Sequence, residues 1–375
     1  MQITAPDVLI IGGGVVGCAT AYYLAAAGYS VTMVERDAIA SHASGFAYGG
    51  LVPVMGLIVD DPVLPLSDAS ARLHAELAGK LPDESGVDYE YCAKPSLAVA
   101  LDRSERSGLE AAHRWLSEHH EGETRWLEGD ALHEIEPRLS GDVVAGLLTD
   151  RASELEPYRF CLALWQAAEK RGARMVNSTV AGFSKSRNRV QGVALTTGET
   201  IYAGSTILAA GPWSGELAGE LGAGVPIRPL KGQILRLKAA GEPISHSISW
   251  SQGYATTKPD GLVWAGTTIE EAGFDERTTT EGRDKITRSL VRVLPYLQDA
   301  KLARQTACLR PVVEDDLPVL GPAPGVEGAY MATGGGRNGI LLAPGMARAV
   351  SDMAQGIAPE FDVEPLSPAR FATAQ

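Results

Sequence analysis

Three glycines with a fixed spacing, Gly12, Gly14 and Gly17, follow the short apolar run Val8–Ile11 and open an alanine-rich stretch that stops at Gly28. In a strand–turn–helix unit each has a task. Gly12 permits the tight turn, Gly14 lets backbone approach a pyrophosphate, and Gly17 lets the helix pack closely on the strand. Val15 and Val16 then begin a helix whose unpaired N–H groups face phosphate charge. Glu35 closes the next apolar run, 18 residues past Gly17, where a carboxylate accepts from ribose hydroxyls. Arg36 sits beside it. An acid here repels a ribose 2′-phosphate, which disfavours NADP. The pattern predicts a dinucleotide site but does not separate NAD from FAD.

The residues beyond Glu35 make that choice. Ser41-His42-Ala43-Ser44-Gly45 and Ala47-Tyr48-Gly49-Gly50-Leu51 are small enough for backbone amides to reach both pyrophosphate and flavin. On these stretches the chain resembles the D-amino-acid oxidase superfamily of FAD-dependent oxidoreductases, in its glycine-oxidase and sarcosine-oxidase branches. Further matches are Ile207-Leu208-Ala209-Ala210-Gly211-Pro212-Trp213-Ser214 and Pro229-Leu230-Lys231-Gly232-Gln233. The most specific are Arg310-Pro311, Asp316-Leu317-Pro318-Val319-Leu320-Gly321 and the run from Gly334 to Pro344. Between residues 55 and 150 the likeness is loose.

The resemblance implies roles. Val180, Ala210, Gly211 and Trp213 would lie along the FAD, with Gly336, Arg337, Asn338, Gly339 and Ile340 at its flavin end. There a helix N-terminus would stabilise negative charge on the reduced ring. Arg310 would fork onto a substrate carboxylate, a task that suits paired guanidinium donors. Tyr254 would add a hydroxyl bond to the same carboxylate. Arg337 is either a substrate or flavin contact or a solvated cap. Cys308 stands where sarcosine oxidases attach flavin covalently and glycine oxidases do not, so a buried apolar thiol and a covalent link both stay open, with non-covalent FAD the expectation. Gly335-Gly336 replaces a bulkier pair that includes a histidine. That departure implies room for a substrate larger than glycine, in a partly apolar pocket lined by Tyr48, Met55, Trp250 and Tyr254.

Those residues need elements to hold them. Strands are expected at Val8–Ile11, Tyr29–Val34, Ser96–Ala100, Arg174–Ser178, Val190–Thr196, Thr200–Ala203, Thr206–Ala210, Gln233–Leu237, His246–Trp250, Gly253–Thr257, Leu262–Thr267 and Tyr330–Thr333. Helices are expected at Val15–Ala27, Asp68–Gly79, Ser104–His119, Glu281–Val293 and, amphipathic, Ile340–Met353. The dinucleotide elements fall at the start, middle and end of the chain. The predicted fold is therefore α/β: a glutathione-reductase-like (Rossmann) FAD-binding domain from 1–90, 150–222 and 303–375, and a substrate-binding domain with a mainly antiparallel sheet from 91–149 and 223–302.

Composition narrows the remaining classes. A net charge of −13 argues against nucleic acid, whose phosphates need a Lys/Arg surplus. Forty-two glycines exceed the roughly 7 % of average usage, consistent with many tight turns. Four dispersed cysteines exclude a zinc ribbon and fit a reducing compartment, and no triad or metal spacing emerges. No apolar run is long enough to span a membrane, so a cytoplasmic protein is expected. His42 reads as structural, and His74, His113, His119, His120 and His133 as solvated. The expected reaction is FAD-dependent oxidation of the C–N bond of a small or N-substituted amino acid, with oxygen or another electron acceptor as partner. A D-amino-acid or D-hydroxyproline dehydrogenase, an NAD-dependent dehydrogenase and a non-catalytic flavin subunit stay open, as do oligomeric state, chirality and exact substrate.

Overall fold

The computed structural model describes residues 5–53, 61–119 and 124–372. Val8–Ile11 is buried on both faces, and its alternate side chains serve two layers. Val8 and Ile10 pack toward the helices Val15–Ala26, Pro157–Lys170 and Gly339–Ala354. Leu9 and Ile11 pack toward a three-stranded antiparallel sheet of Val180–Ser186, Arg189–Leu195 and Thr200–Tyr202. A strand covered on both sides is what a continuous apolar run requires. It lies in a six-stranded sheet ordered Val319–Pro322, Ala329–Thr333, Ser205–Leu208, Val8–Ile11, Val31–Glu35, Arg174–Asn177. All pairings are parallel except the antiparallel edge strand Val319–Pro322.

The second large sheet has eight strands. Their order is Lys301–Val313, Ile227–Lys238, Val263–Gly266, Gly253–Thr257, Ser247–Trp250, Ser96–Ala100, Ala145–Thr149, Thr124–Leu127. Only Ser247–Trp250 against Ser96–Ala100 is parallel. One face packs on the helix Thr280–Val293 through Leu235, Ile248, Ala255, Val263, Ile286 and Leu290. That helix starts at Thr279, whose hydroxyl accepts from the Gly282 amide. The boundary expected at residue 303 falls inside the strand Lys301–Val313, which hydrogen bonding carries whole into this sheet.

Two expectations need correction. The helix Gly339–Ala354 is not amphipathic: from Ile340 to Asp352 only Arg348 is exposed. His74 is not solvated but fully buried, on the helix Leu64–Ala78. The two corrections meet at one contact, where the helix Leu64–Ala78 packs against the last helix. Pro344 lies inside the helix and has no N–H to offer the Ile340 carbonyl four residues earlier. His74 Nε2 bonds that carbonyl at 3.0 Å and the Leu341 carbonyl at 3.1 Å. Ser70 Oγ donates to the Leu342 carbonyl and accepts from the Gly345 amide, each at 3.1 Å. One turn of a neighbouring helix thus repairs the ladder that proline breaks. Among the other histidines, His113 is half-buried against Thr124, His119 and His133 are exposed, and His120 lies outside the described residues.

Burial lowers the His74 pKa from 6.5 to about 4, so the folded state keeps the ring neutral where the unfolded chain protonates it. Its contribution is fully present above pH 6.5 and is lost as pH falls through about 4. The protonation of His74 in the folded state thus costs about 3 kcal/mol of stability. Urea denaturation should show stability falling across that window, and His74→Gln should flatten that part of the slope. Equal pH dependence in the two proteins would contradict the assignment.

Candidate active site

The dinucleotide turn has the strain pattern its glycines imply. Gly12 holds φ +107°, and a Cβ there would stand 2.5 Å from the Ala209 carbonyl oxygen. A Cβ on Gly17 would meet the Gly12 carbonyl oxygen at 1.9 Å, so this position is closed to any side chain. Glu35 is buried, and its carboxylate accepts from the Gly13 amide at 2.6 Å and the Asp37 amide at 2.8 Å. Ser44 Oγ accepts from Val15 N–H at 2.9 Å, leaving the Gly14 and Val16 amides unpaired among the described residues.

From this turn an elongated cavity of about 870 Å³ runs to the face of the eight-stranded sheet. Its size lies near the upper end for cofactor sites. At one end stand Glu35, Arg36, Val180, Trp213 and His42; Gly12, Gly14, Val15, Val16, Ser41, Ala43 and Ser44 line the middle. Ala47, Tyr48, Gly50, Ala210, Gly211, Arg310 and Gly336, Arg337, Asn338, Gly339 and Ile340 complete it toward the other. Gly17, Gly49 and Leu51 stand behind the wall instead: a Cβ on Gly49 would meet the Leu155 carbonyl oxygen, and Leu51 is core. Met55 lies outside the described residues. Arg36 stands over the Trp213 ring at 4.0 Å, and His42 bridges Asp37 and Glu276 at 2.9 and 3.0 Å.

At the sheet end, Arg310 and Tyr254 are brought together over the two strands that lie between theirs. Arg310 extends over Gly232, where a Cβ would stand 2.0 Å from Nη2. Its Nη2 donates to Thr267 Oγ1 at 2.6 Å and its Nη1 to the Thr268 carbonyl at 3.3 Å. Tyr254 leans the opposite way over its register partner Gly266, where a Cβ would meet the phenolic oxygen at 2.6 Å. Two glycines therefore clear the sheet face so that a guanidinium and a phenol converge. Burial holds the Tyr254 pKa well above 10, against the opposing pull of Arg310, so the group is a protonated donor.

Arg337 joins them from the turn before the helix Gly339–Ala354. It is open to solvent through the cavity mouth, yet desolvation of its inner part, then the Arg310 charge, lowers its pKa. Among the described residues neither arginine has a carboxylate within ion-pair distance. The Tyr254 ring stacks on Tyr48 at 4.2 Å, and Tyr48 Oη donates to Glu154 Oε1 at 2.9 Å. Buried Glu154 pairs with Lys258 at 3.1 Å and lies 3.7 Å from Lys94. No sequence motif marks this network, whose members Tyr48, Lys94, Glu154, Tyr254 and Lys258 come from four separate stretches of the chain. Cys308 lines the cavity as a buried thiol with its pKa raised by burial. All four cysteines are free, and no cluster among the described residues has the make-up of a metal site.

Of the two departing glycines, only one opens space. A Cβ on Gly335 would stand 2.9 Å from Gly339 Cα, so tight packing excludes a side chain there. A Cβ on Gly336 meets nothing within 4 Å.

Gly232→Ala should force the Arg310 guanidinium off Thr267 and lower stability by about 1–3 kcal/mol. Thermal melting and a crystal structure of the variant check this. An unchanged melting temperature with the Arg310–Thr267 bond intact would refute the positioning role.

Comparison with known proteins points to one family. The family profile described as FAD dependent oxidoreductase (DAO) matches residues 7–353. A glycine oxidase of Pseudomonas aeruginosa is 32 % identical over 369 residues, covering 96 % of this chain and 98 % of the relative. The crystal structure of glycine oxidase from Geobacillus kaustophilus superposes with TM-score 0.93 at 27 % identity, over 98 % of this chain and 99 % of that one. Iminodiacetate oxidase from Chelativorans sp. BNC1 gives TM-score 0.89 at 25 % identity, over 96 % and 98 %. No helix among the described residues is long and apolar enough to cross a membrane. A glycine turn built for a dinucleotide, an acid at the second strand's end and a full-length family match lead to one assignment: this chain belongs to the FAD-dependent oxidoreductase (DAO) family.

Proposed function

We propose that the protein oxidises the C–N bond of a small or N-substituted amino acid, giving an imine that hydrolyses to a 2-oxo acid and an amine. The observation that carries this reading is the meeting of Arg310, Arg337 and the Tyr254 hydroxyl, with no carboxylate among the described residues within ion-pair distance of either arginine. A substrate carboxylate supplies the missing charge. Relatives whose names specify glycine and iminodiacetate oxidation support the same class.

FAD, when bound, accepts a hydride from the carbon bearing the amine and passes the electrons to oxygen or another acceptor. Glu35 would hold its ribose, the Gly14 and Val16 amides its pyrophosphate, and residues Gly336–Ile340 its flavin end. Arg310 fixes the substrate carboxylate by a two-pronged contact, and Tyr254 adds one donor. Alignment by those two groups suffices if the amine enters neutral, since no strong base is needed. The Tyr48 ring supports Tyr254 from behind. Cys308, as a buried neutral thiol, fits non-covalent FAD. The division that accompanies this reading gives the six-stranded sheet to the cofactor and the eight-stranded sheet to the substrate.

Arg310→Leu should retain flavin but lose roughly 30-fold or more in kcat/KM, about 2–5 kcal/mol of transition-state binding. Arg310→Lys should recover only part, because the fork is lost. Unchanged kcat/KM in a folded leucine variant would exclude the role. The opening beside Gly336 generates a second expectation: sarcosine or a longer N-alkylglycine should be turned over faster than glycine, with truncation lowering kcat as well as raising KM. Glycine as the best substrate of such a series would contradict it.

A further inference from the structure

The tilt of Tyr254 toward Arg310 has a consequence on its other side. Residues paired directly across neighbouring strands share a face, so Ser249, the register partner of Tyr254, faces the cavity, as do Ser247 and Ser251 two positions away. Ser247 is engaged by the Tyr48 hydroxyl. The Ser249 hydroxyl has no hydrogen bond among the described residues. Ser251 Oγ donates to Glu105 Oε1 at 2.5 Å, and the Leu101 amide donates to Glu105 Oε2 at 2.7 Å. Glu105 stands on the helix Arg103–His119, lines the cavity and is fixed by these two bonds. An ionised carboxylate has about four acceptor positions, so two remain for a ligand.

The cavity is therefore polarised. Arg310 and Arg337 mark a cationic end, and a carboxylate held by Ser251 marks a wall beyond the Tyr254–Ser249 pair. We infer that the space past Tyr254 is a subsite for the substrate's substituent, and that Glu105 sets its charge preference. The preferred substrates carry a hydrogen-bond donor at the end of that substituent, with a cation favoured over an anion. This rests on the proposed amino-acid oxidation and names its substrate class more narrowly. A short side chain or N-substituent needs to pass one to two strand spacings, about 5–10 Å, to come under Glu105. Ser249 would offer a hydroxyl on the way.

The test uses holoenzyme and glycines substituted on nitrogen with groups of similar length: N-aminoethylglycine, N-hydroxyethylglycine, N-propylglycine and N-carboxyethylglycine, with sarcosine as reference. In the wild type, kcat/KM for the aminoethyl compound should exceed that for the carboxyethyl compound by at least about tenfold, with the hydroxyethyl compound between them. Glu105→Gln should shrink that ratio at least about fivefold. Each ratio is taken within one protein, so a general loss of activity cancels, and flavin content reports folding. If Glu105→Gln does not fold, the wild-type ratio still decides. A wild type that prefers the carboxyethyl compound, or a ratio unmoved by Glu105→Gln, overturns the inference while sarcosine turnover leaves the proposed reaction standing. No turnover of any compound, sarcosine included, overturns both.

Discussion

A Cβ at position 232 would stand 2.0 Å from the Arg310 guanidinium, and one at 266 would stand 2.6 Å from the Tyr254 oxygen. These two vacancies in the sheet face let groups from strands three apart meet over one point. Holding a guanidinium there without a counter-ion costs solvation free energy. Thr267 and the Thr268 carbonyl offset part of it by accepting from Arg310, and Arg337 keeps contact with solvent. Neither supplies negative charge. An anionic ligand would complete such a site, since the acids nearest in the fold already have partners: Glu154 has Lys258, Glu35 two amides, and Glu105 Ser251.

The remaining architecture serves to bring a cofactor to that point. The six-stranded sheet ends in the Gly12–Gly14 turn and in Glu35, while the helix Gly339–Ala354 presents its first turn at the opposite end of the same cavity. A helix with an internal proline is a weak support unless the freed carbonyl finds another donor. His74 provides it, so a side chain far in sequence helps to hold the first turn of that helix in place at the cavity.

Legibility in the sequence followed the range of the interactions. The strand–turn–helix start, Glu35 and the glycine run before the last helix are local patterns whose residues lie side by side in both sequence and space. Arg310 and Tyr254 were legible only through family likeness, and their convergence depends on register, which no local pattern encodes. The strand Lys301–Val313 was not foreseen because charged residues and Pro311 interrupt it; at the sheet edge proline is tolerated. The helix Pro157–Lys170 carries its own local signals, with Glu156 capping it and Pro157 opening it, and its apolar face packs into the core. The burial of His74 is not legible locally, because the proline that requires it lies 270 residues away.

The central claim is that one cavity holds FAD at one end and an amino-acid carboxylate at the other, close enough for oxidation. The most direct measurement is the visible spectrum of purified protein before and after anaerobic addition of sarcosine and related amino acids. The account predicts a yellow protein with stoichiometric, extractable FAD whose absorbance bleaches on addition of the amino acid. It also predicts that a matched amine lacking the carboxylate bleaches it far more slowly. A colourless protein that cannot be reconstituted with FAD, or bound FAD that no amino acid reduces, would contradict it.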